Sequence, residues 1–131
     1  MSLRVAACSC GQLQAQVEGE PFRISICHCL ACQRRTGSVF GAQARFAREQ
    51  VRTTGCSNEY VRTGDEGTRI TFHFCPTCGA TVFYESEGME ASIAIPVGVF
   101  ADPGFPSPRF SVYEACMHAW VIRPEGAERM L

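Results

Sequence analysis

The chain contains no lysine: its twelve basic residues are all arginine, set against thirteen acidic residues for a net charge of −1. That balance excludes the cationic surplus with which proteins neutralise nucleic-acid phosphates, so no nucleic-acid partner is expected. No apolar run approaches the roughly 18 residues that suggest a membrane span, and no membrane partner is expected either. The N-terminus lacks the basic region, apolar stretch and small-residue cleavage site of a secretory leader, which predicts a cytoplasmic location. Internal repeats, low-complexity tracts and long linkers are missing too. One domain over residues 1–131 is therefore expected, long enough to bury roughly two-thirds of its unfolded surface.

What the chain has in quantity is cysteine, nine in 131 residues. A secreted chain would use them as a disulfide framework. The odd count, the missing leader and spacings as tight as Cys8/Cys10 and Cys27/Cys29 point instead to metal-bound thiolates in a reducing compartment.

Most of the remaining pattern has period two. Leu13, Ala15 and Val17 alternate with polar residues, as in a half-buried strand. Phe22, Ile24 and Ile26 alternate up to the second cysteine group, and Ile70, Phe72 and Phe74 deliver the chain to Cys75. Val39 to Phe46, Thr81 to Tyr84, Ala91 to Val99 and Phe110 to Tyr113 read as further strands. Turn signals at Gly64-Asp65-Glu66-Gly67, Ser86-Glu87-Gly88 and Asp102-Pro103-Gly104 separate them. Only Leu30 to Thr36 suits a short helical turn. The expected fold is mainly β, with antiparallel sheets whose strands end in metal knuckles and with little helix.

The cysteines fall into three groups: Cys8-Ser9-Cys10-Gly11, Cys27-His28-Cys29-Leu30-Ala31-Cys32 and Cys75-Pro76-Thr77-Cys78-Gly79. Two cysteines one or two residues apart can grip a single ion, and a glycine after the last ligand supplies the positive φ that the turn requires. Seven thiolates cannot fill two four-sulfur sites. Four plus three is the natural division: Cys8, Cys10, Cys75 and Cys78 complete one another, while Cys27, Cys29 and Cys32 converge on a second ion. The triplet then either keeps an open position, as catalytic zinc does, or is closed by Cys56 or a histidine. Cys56 and Cys116 have no partner at knuckle spacing and read as idle thiols. His28 is expected to turn away from the metal, His73 to face solvent, and His118 to sit at a rim.

With their flanks, these groups resemble the glutathione-dependent formaldehyde-activating enzyme family, which includes centromere protein V. The resemblance is carried by Cys8-x-Cys10-Gly11, Cys27-His28-Cys29-x-x-Cys32 and Phe74-Cys75-x-x-Cys78-Gly79. Thr36-Gly37-Ser38, the Gly98 to Pro103 segment and a closing Trp120 extend it over nearly the whole chain. It implies a zinc-bearing β-tent fold with two zinc ions per chain. Cys8, Cys10, Cys75 and Cys78 would hold the structural zinc, and Cys27, Cys29 and Cys32 the second. The activity it implies is a carbon–sulfur lyase reaction, the reversible condensation of formaldehyde with glutathione to S-hydroxymethylglutathione. Many members carry a histidine near Ser111, and this chain does not.

A zinc with three thiolates bears one net negative charge and suits a soft ligand, so a thiol at the fourth position could be activated for addition to an aldehyde. Small-molecule thiol and aldehyde partners follow. Arg34 and Arg35, just past the triplet, are candidate contacts for an anionic cosubstrate such as glutathione, with Ser38 and Thr36 as polar neighbours. Trp120 reads as a core residue before a pocket wall. The alternative function is a non-catalytic, zinc-stabilised protein-binding module with both metals structural.

Overall fold

Residues 2–131 are described by a computed structural model. The alternation of Leu13, Ala15 and Val17 becomes β2 (Gln14–Glu18), which pairs antiparallel with β1 (Leu3–Ala7) on one side and β5 (Val51–Thr54) on the other. These three make a small sheet. The larger sheet uses β3 (Arg23–Cys27), β4 (Gly41–Ala47), β6 (Asn58–Thr63), β7 (Arg69–Phe74), β8 (Thr81–Ser86), β9 (Ser92–Pro96), β10 (Phe110–Val112) and β11 (Glu128–Arg129). Its strand order is β11-β10-β3-β4-β9-β8-β7-β6. Among the described residues a single α-helix, α1 (Leu30–Thr36), follows β3 where the sequence allowed a helical turn. Three short 3-10 turns complete the chain at Arg48–Gln50, Val97–Phe100 and Glu114–Cys116.

The mainly β, little-helix expectation holds, and most pairings are antiparallel. The exceptions are β10 with β3 and β10 with β11, which are parallel.

Because side chains alternate across a strand, each sheet can bury one face. Ala6, Leu13, Ala15 and Val17 from the small-sheet segments pack against Ile24, Ala44, Phe46, Ile93 and Ile95 of the large sheet in one core. Full burial of each large side chain there contributes about 1.5–3 kcal/mol. Phe100 joins from the second 3-10 turn, 6.1 Å from Phe46 and 4.8 Å from Phe105 between ring centroids. The opposite parity of β3 and β4 sends Arg23, Ser25 and Cys27, with Gln43 and Arg45, to the other face of the large sheet. That face carries the cavity described below.

Three expectations fail here. Phe22 lies outside β3 and is 60% exposed, because the strand begins at Arg23. Trp120 is 71% exposed and is neither core nor pocket wall; it meets His118 edge-on in the irregular C-terminal segment. His73 does not face solvent. It keeps its place in the strand's alternation, in regular register with Phe83, but the ring stacks on Phe83 at 4.3 Å and lies between Glu59 and Glu85.

Candidate functional site

All nine cysteines are unbridged, and seven of them gather into two clusters. Cys8, Cys10, Cys75 and Cys78 have sulfurs that all lie within 4.8 Å of one another, as do Cys27, Cys29 and Cys32. The four-plus-three division read from the sequence is the division in space.

The four-cysteine cluster is built from two turns with the same wiring. In the first, Cys8 N–H donates to the Leu13 carbonyl at 3.0 Å and Gly11 N–H to the Cys8 carbonyl at 3.0 Å. In the second, Cys75 N–H donates to the Ala80 carbonyl at 3.0 Å and Gly79 N–H to the Cys75 carbonyl at 2.8 Å. Gly11 and Gly79 take φ of +84° and +81°, the left-handed region that glycine reaches without strain. The Cys8–Cys10 and Cys10–Cys75 sulfur separations are both 3.6 Å. Thiolates about 2.3 Å from one ion at tetrahedral angles stand about 3.8 Å apart, whereas a disulfide needs about 2.05 Å. The donor set and spacing thus fit a closed metal site.

Protein N–H groups point at these sulfurs. Leu13 N–H reaches Cys8 Sγ at 3.3 Å, and Thr77 N–H and Gln12 Nε2 reach Cys75 Sγ at 3.3 and 3.0 Å. Burial pushes the Cys75 thiol up, yet the donors from Gln12, Cys78 and Thr77 hold it down to about 5. Gln12 also clasps the β5–β6 loop, donating to the Cys56 carbonyl at 2.7 Å and accepting from Cys56 N–H at 2.9 Å. Cys56 therefore belongs beside the four-cysteine cluster, through its backbone, and does not close the triplet.

Gly55 is the residue that permits this clasp. It has φ of +97°, and a Cβ there would stand 2.0 Å from the Gln12 carbonyl oxygen. Gly55→Ala should therefore cost about 2 kcal/mol or more in stability, since left-handed strain and a backbone clash combine. Chemical denaturation of the metal-loaded protein checks this; an unchanged midpoint would contradict the clasp.

The triplet forms where β3 runs into α1. Cys27 ends the strand. Cys29 caps the helix, its Sγ accepting from Cys32 N–H at 3.3 Å, so that the helix start itself folds Cys32 back toward the other two. The other end stops at Gly37, with φ of +74° and its N–H on the Gln33 carbonyl at 2.8 Å. Gln33 fastens the helix to the C-terminal segment, donating to the carbonyls of His28 at 2.9 Å and Cys116 at 3.2 Å. Its own oxygen meets His118 Nε2 at 3.0 Å.

No histidine, cysteine, aspartate or glutamate among the described residues joins the triplet as a fourth ligand. His28 is fully buried with Nε2 2.9 Å from Ser111 Oγ. Ser111 Oγ donates to Glu114 at 2.6 Å, so it accepts from the His28 Nε2–H, and burial keeps the ring neutral. Arg123, at 2.7 Å, holds the Glu114 carboxyl down to about 2, helped by Ser111 and by Arg129 at 3.1 Å. The strand that carries Ser111 thus anchors the residue between two candidate ligands.

The triplet borders a cavity of about 750 Å³ whose wall includes Arg23, Ser25, Gln43, Arg45, Arg62 and Tyr113. Cys116, expected to be idle, also lines it. Arg34 and Arg35 line a second cavity of about 470 Å³ that shares Ala31 and Arg62 with the first. Ser38 lines neither; its N–H donates to Thr36 Oγ1 at 3.0 Å, while Thr36 Oγ1 donates to the Cys32 carbonyl at 2.8 Å.

Arg35 nevertheless bears on the triplet. Its guanidinium carbon lies 5.1 Å from the Phe72 ring and 5.3 Å from Tyr84, and Gly41 leaves space between its Nη2 and Cys32 Cβ, both within 3.5 Å of where a Cβ would stand. Cys32 is held down to about 5, first by its hydrogen bond with Cys27 and, against burial, by Cys29, Arg35 and Arg62; Cys27 is correspondingly pushed up. The signals for Arg23, Gln43 and Arg45 lay in strand register, which no local motif announces.

Residues 4–116 match the model of the family described as glutathione-dependent formaldehyde-activating enzyme. No curated protein matches the chain. Among solved structures it is similar to the crystal structure of a Rhodobacter sphaeroides protein, at 19% identity and a TM-score of 0.56, covering 78% of this chain and 90% of that one. At that identity the likeness concerns the fold.

Proposed function

The chain belongs to the glutathione-dependent formaldehyde-activating enzyme family, and we propose from this premise that it joins a thiol to an aldehyde at the three-cysteine cluster. The reaction is the condensation of glutathione with formaldehyde, or another small aldehyde, to S-hydroxymethylglutathione, and its reverse. The carbon–sulfur bond forms as the carbonyl π bond breaks, and the thiol proton ends on the new hydroxyl. It is a lyase in the reverse direction. The chain works as one domain in the reducing cytoplasm, without nucleic acid or membrane.

Both clusters suit zinc, giving two ions per chain. Cys8, Cys10, Cys75 and Cys78 would hold the structural ion, and Cys27, Cys29 and Cys32 the second. When bound there, zinc supplies a Lewis-acid position at which a thiol loses its proton at neutral pH. The rest falls to the protein. Arg35 and Arg62 set two positive charges beside the triplet, which favours a further anionic sulfur over a neutral ligand. Arg34, Arg35 and Ser38 remain candidates for contacts to the thiol cosubstrate, with Arg35 acting on charge rather than from the wall of the main cavity.

The observation that carries this reading is a cysteine triplet without a fourth ligand among the described residues, opening on a cavity of about 750 Å³. Pockets of roughly 300–1,000 Å³ are the size range of small-molecule sites. A purely structural module would need neither feature.

Exchange spectroscopy on mixtures of glutathione and formaldehyde tests the activity. Zinc-loaded protein should speed interconversion of free glutathione and its hydroxymethyl adduct, and a chelator should abolish the gain. Exchange at the spontaneous rate with both sites loaded would refute the proposal.

A further inference from the structure

The floor of the main cavity is a ladder of cross-strand pairs. In the antiparallel register of β3 and β4, Cys27 faces Gly41, Ser25 faces Gln43, and Arg23 faces Arg45. Directly opposite residues hold their Cβ atoms about 4.5–5.5 Å apart, and like charges so placed repel. Neither guanidinium makes a hydrogen bond or ion pair with any described residue; Arg23 only covers the Phe110 ring at 4.1 Å. Two arginines stand directly opposite each other on the wall of a cavity without an ion-pair partner, and Asp65, which also lines that cavity, pairs with neither.

The rung between them and the cysteines carries a second, independent irregularity. Gln43 is 7% exposed; its Nε2 donates to Ser25 Oγ at 2.8 Å, but its Oε1 is buried without a partner. An unmet buried acceptor is costly unless something donates to it. Along the floor, therefore, lie in order a thiolate cluster, an acceptor awaiting an N–H, and a paired positive charge awaiting an anion.

We propose that Arg23 and Arg45 form a carboxylate seat and Gln43 an N–H acceptor, so that the cavity selects elongated acidic thiols with an amide between sulfur and carboxylate. Four residues of strand separate Arg23 from Cys27, about 13 Å. A ligand reaching on the order of 10 Å from sulfur to carboxylate spans the ladder once the arginines lean inward. A short mercapto acid cannot reach both ends, and a neutral thiol leaves the arginine pair uncompensated. The inference rests on the thiol reading of the triplet for its direction, but the seat can be tested without a thiol.

The test titrates the zinc-loaded chain by calorimetry with S-methylglutathione, which keeps both carboxylates but offers no thiol, and with its diethyl ester. Wild type should bind the acid at least about tenfold more tightly than the ester, the effect of one charge-assisted bond. Arg45→Gln should abolish that preference. Its ligand-free form should melt no lower than wild type, since the substitution relieves repulsion. Equal binding of acid and ester by wild type, a preference retained in Arg45→Gln, or a variant that melts well below wild type would overturn the seat. If the preference appears and vanishes as expected while glutathione still shows no catalysed exchange, the seat stands and the proposed reaction falls.

Discussion

Cys75→Ser should unfold the protein. Cys75 is fully buried in the main core and is also the sulfur that Gln12, Thr77 and Cys10 all approach. The cluster joins the turn after β1 to the turn between β7 and β8, so it fastens the small sheet to the far half of the large one. Structural zinc contributes apparent folding energies of about 10–16 kcal/mol in small domains, against a typical total stability of about 5–15 kcal/mol. Losing one ligand in four removes a large part of that, and the serine hydroxyl is left in an apolar site. Circular dichroism and thermal melting should show loss of the cooperative transition, and a strong chelator should reproduce it in the wild type. A variant that melts near the wild-type midpoint would show that the two-sheet core suffices alone.

Cys29→Ser should have the opposite profile: fold kept, chemistry lost. Serine is among the best helix N-caps, so its hydroxyl can accept from Cys32 N–H as the thiol does. Stability should change by about 1 kcal/mol or less. The triplet, however, drops to two sulfurs. Outer-shell partners of a metal cost about 10–100-fold when removed, and a direct ligand should exceed that, so exchange should fall at least about 100-fold and one zinc should leave. Metal analysis with the exchange measurement checks both. Full activity with one ion bound would transfer the chemistry away from the triplet.

The contrast between these variants follows from features that differ in how far the sequence exposes them. Metal knuckles are local, so the grouping of the seven cysteines and the four-plus-three count were legible from spacing alone. Leu13, Ala15 and Val17 were legible because one face of β2 is buried and the other is not. The helix at Leu30–Thr36 was legible from its short span between knuckle and glycine. By contrast β6 has almost no buried face, so Asn58–Thr63 carries no period-two signal. The parallel pairing of β10 with β3 depends on a long excursion from residue 27 to residue 110. His73 keeps the face opposite Phe72, but Phe83, Glu59 and Glu85 from the neighbouring strands cover it, and its own strand carries no signal of those contacts. Trp120 has the size and apolarity of a core residue, but its irregular segment has no strand to pack under, so it stays exposed.

The substrate side of the site was the least legible. Arg34 and Arg35 are adjacent to the triplet in sequence, and proximity along the chain made them the natural candidates. In space the helix carries them to the second cavity, and the main cavity is furnished by Arg23, Arg45 and Arg62 from three separate strands. Only the pairing of β3 with β4 makes Arg23 and Arg45 neighbours.

The central claim is that one cluster is saturated by protein sulfur and the other is one ligand short. Zinc X-ray absorption on the doubly loaded protein measures it directly. The account predicts an average of about 3.5 sulfur neighbours per ion, rising to about 4 when glutathione is added. A value near 4 without added thiol, unchanged on its addition, would mean that the triplet is closed by the protein and would contradict the account.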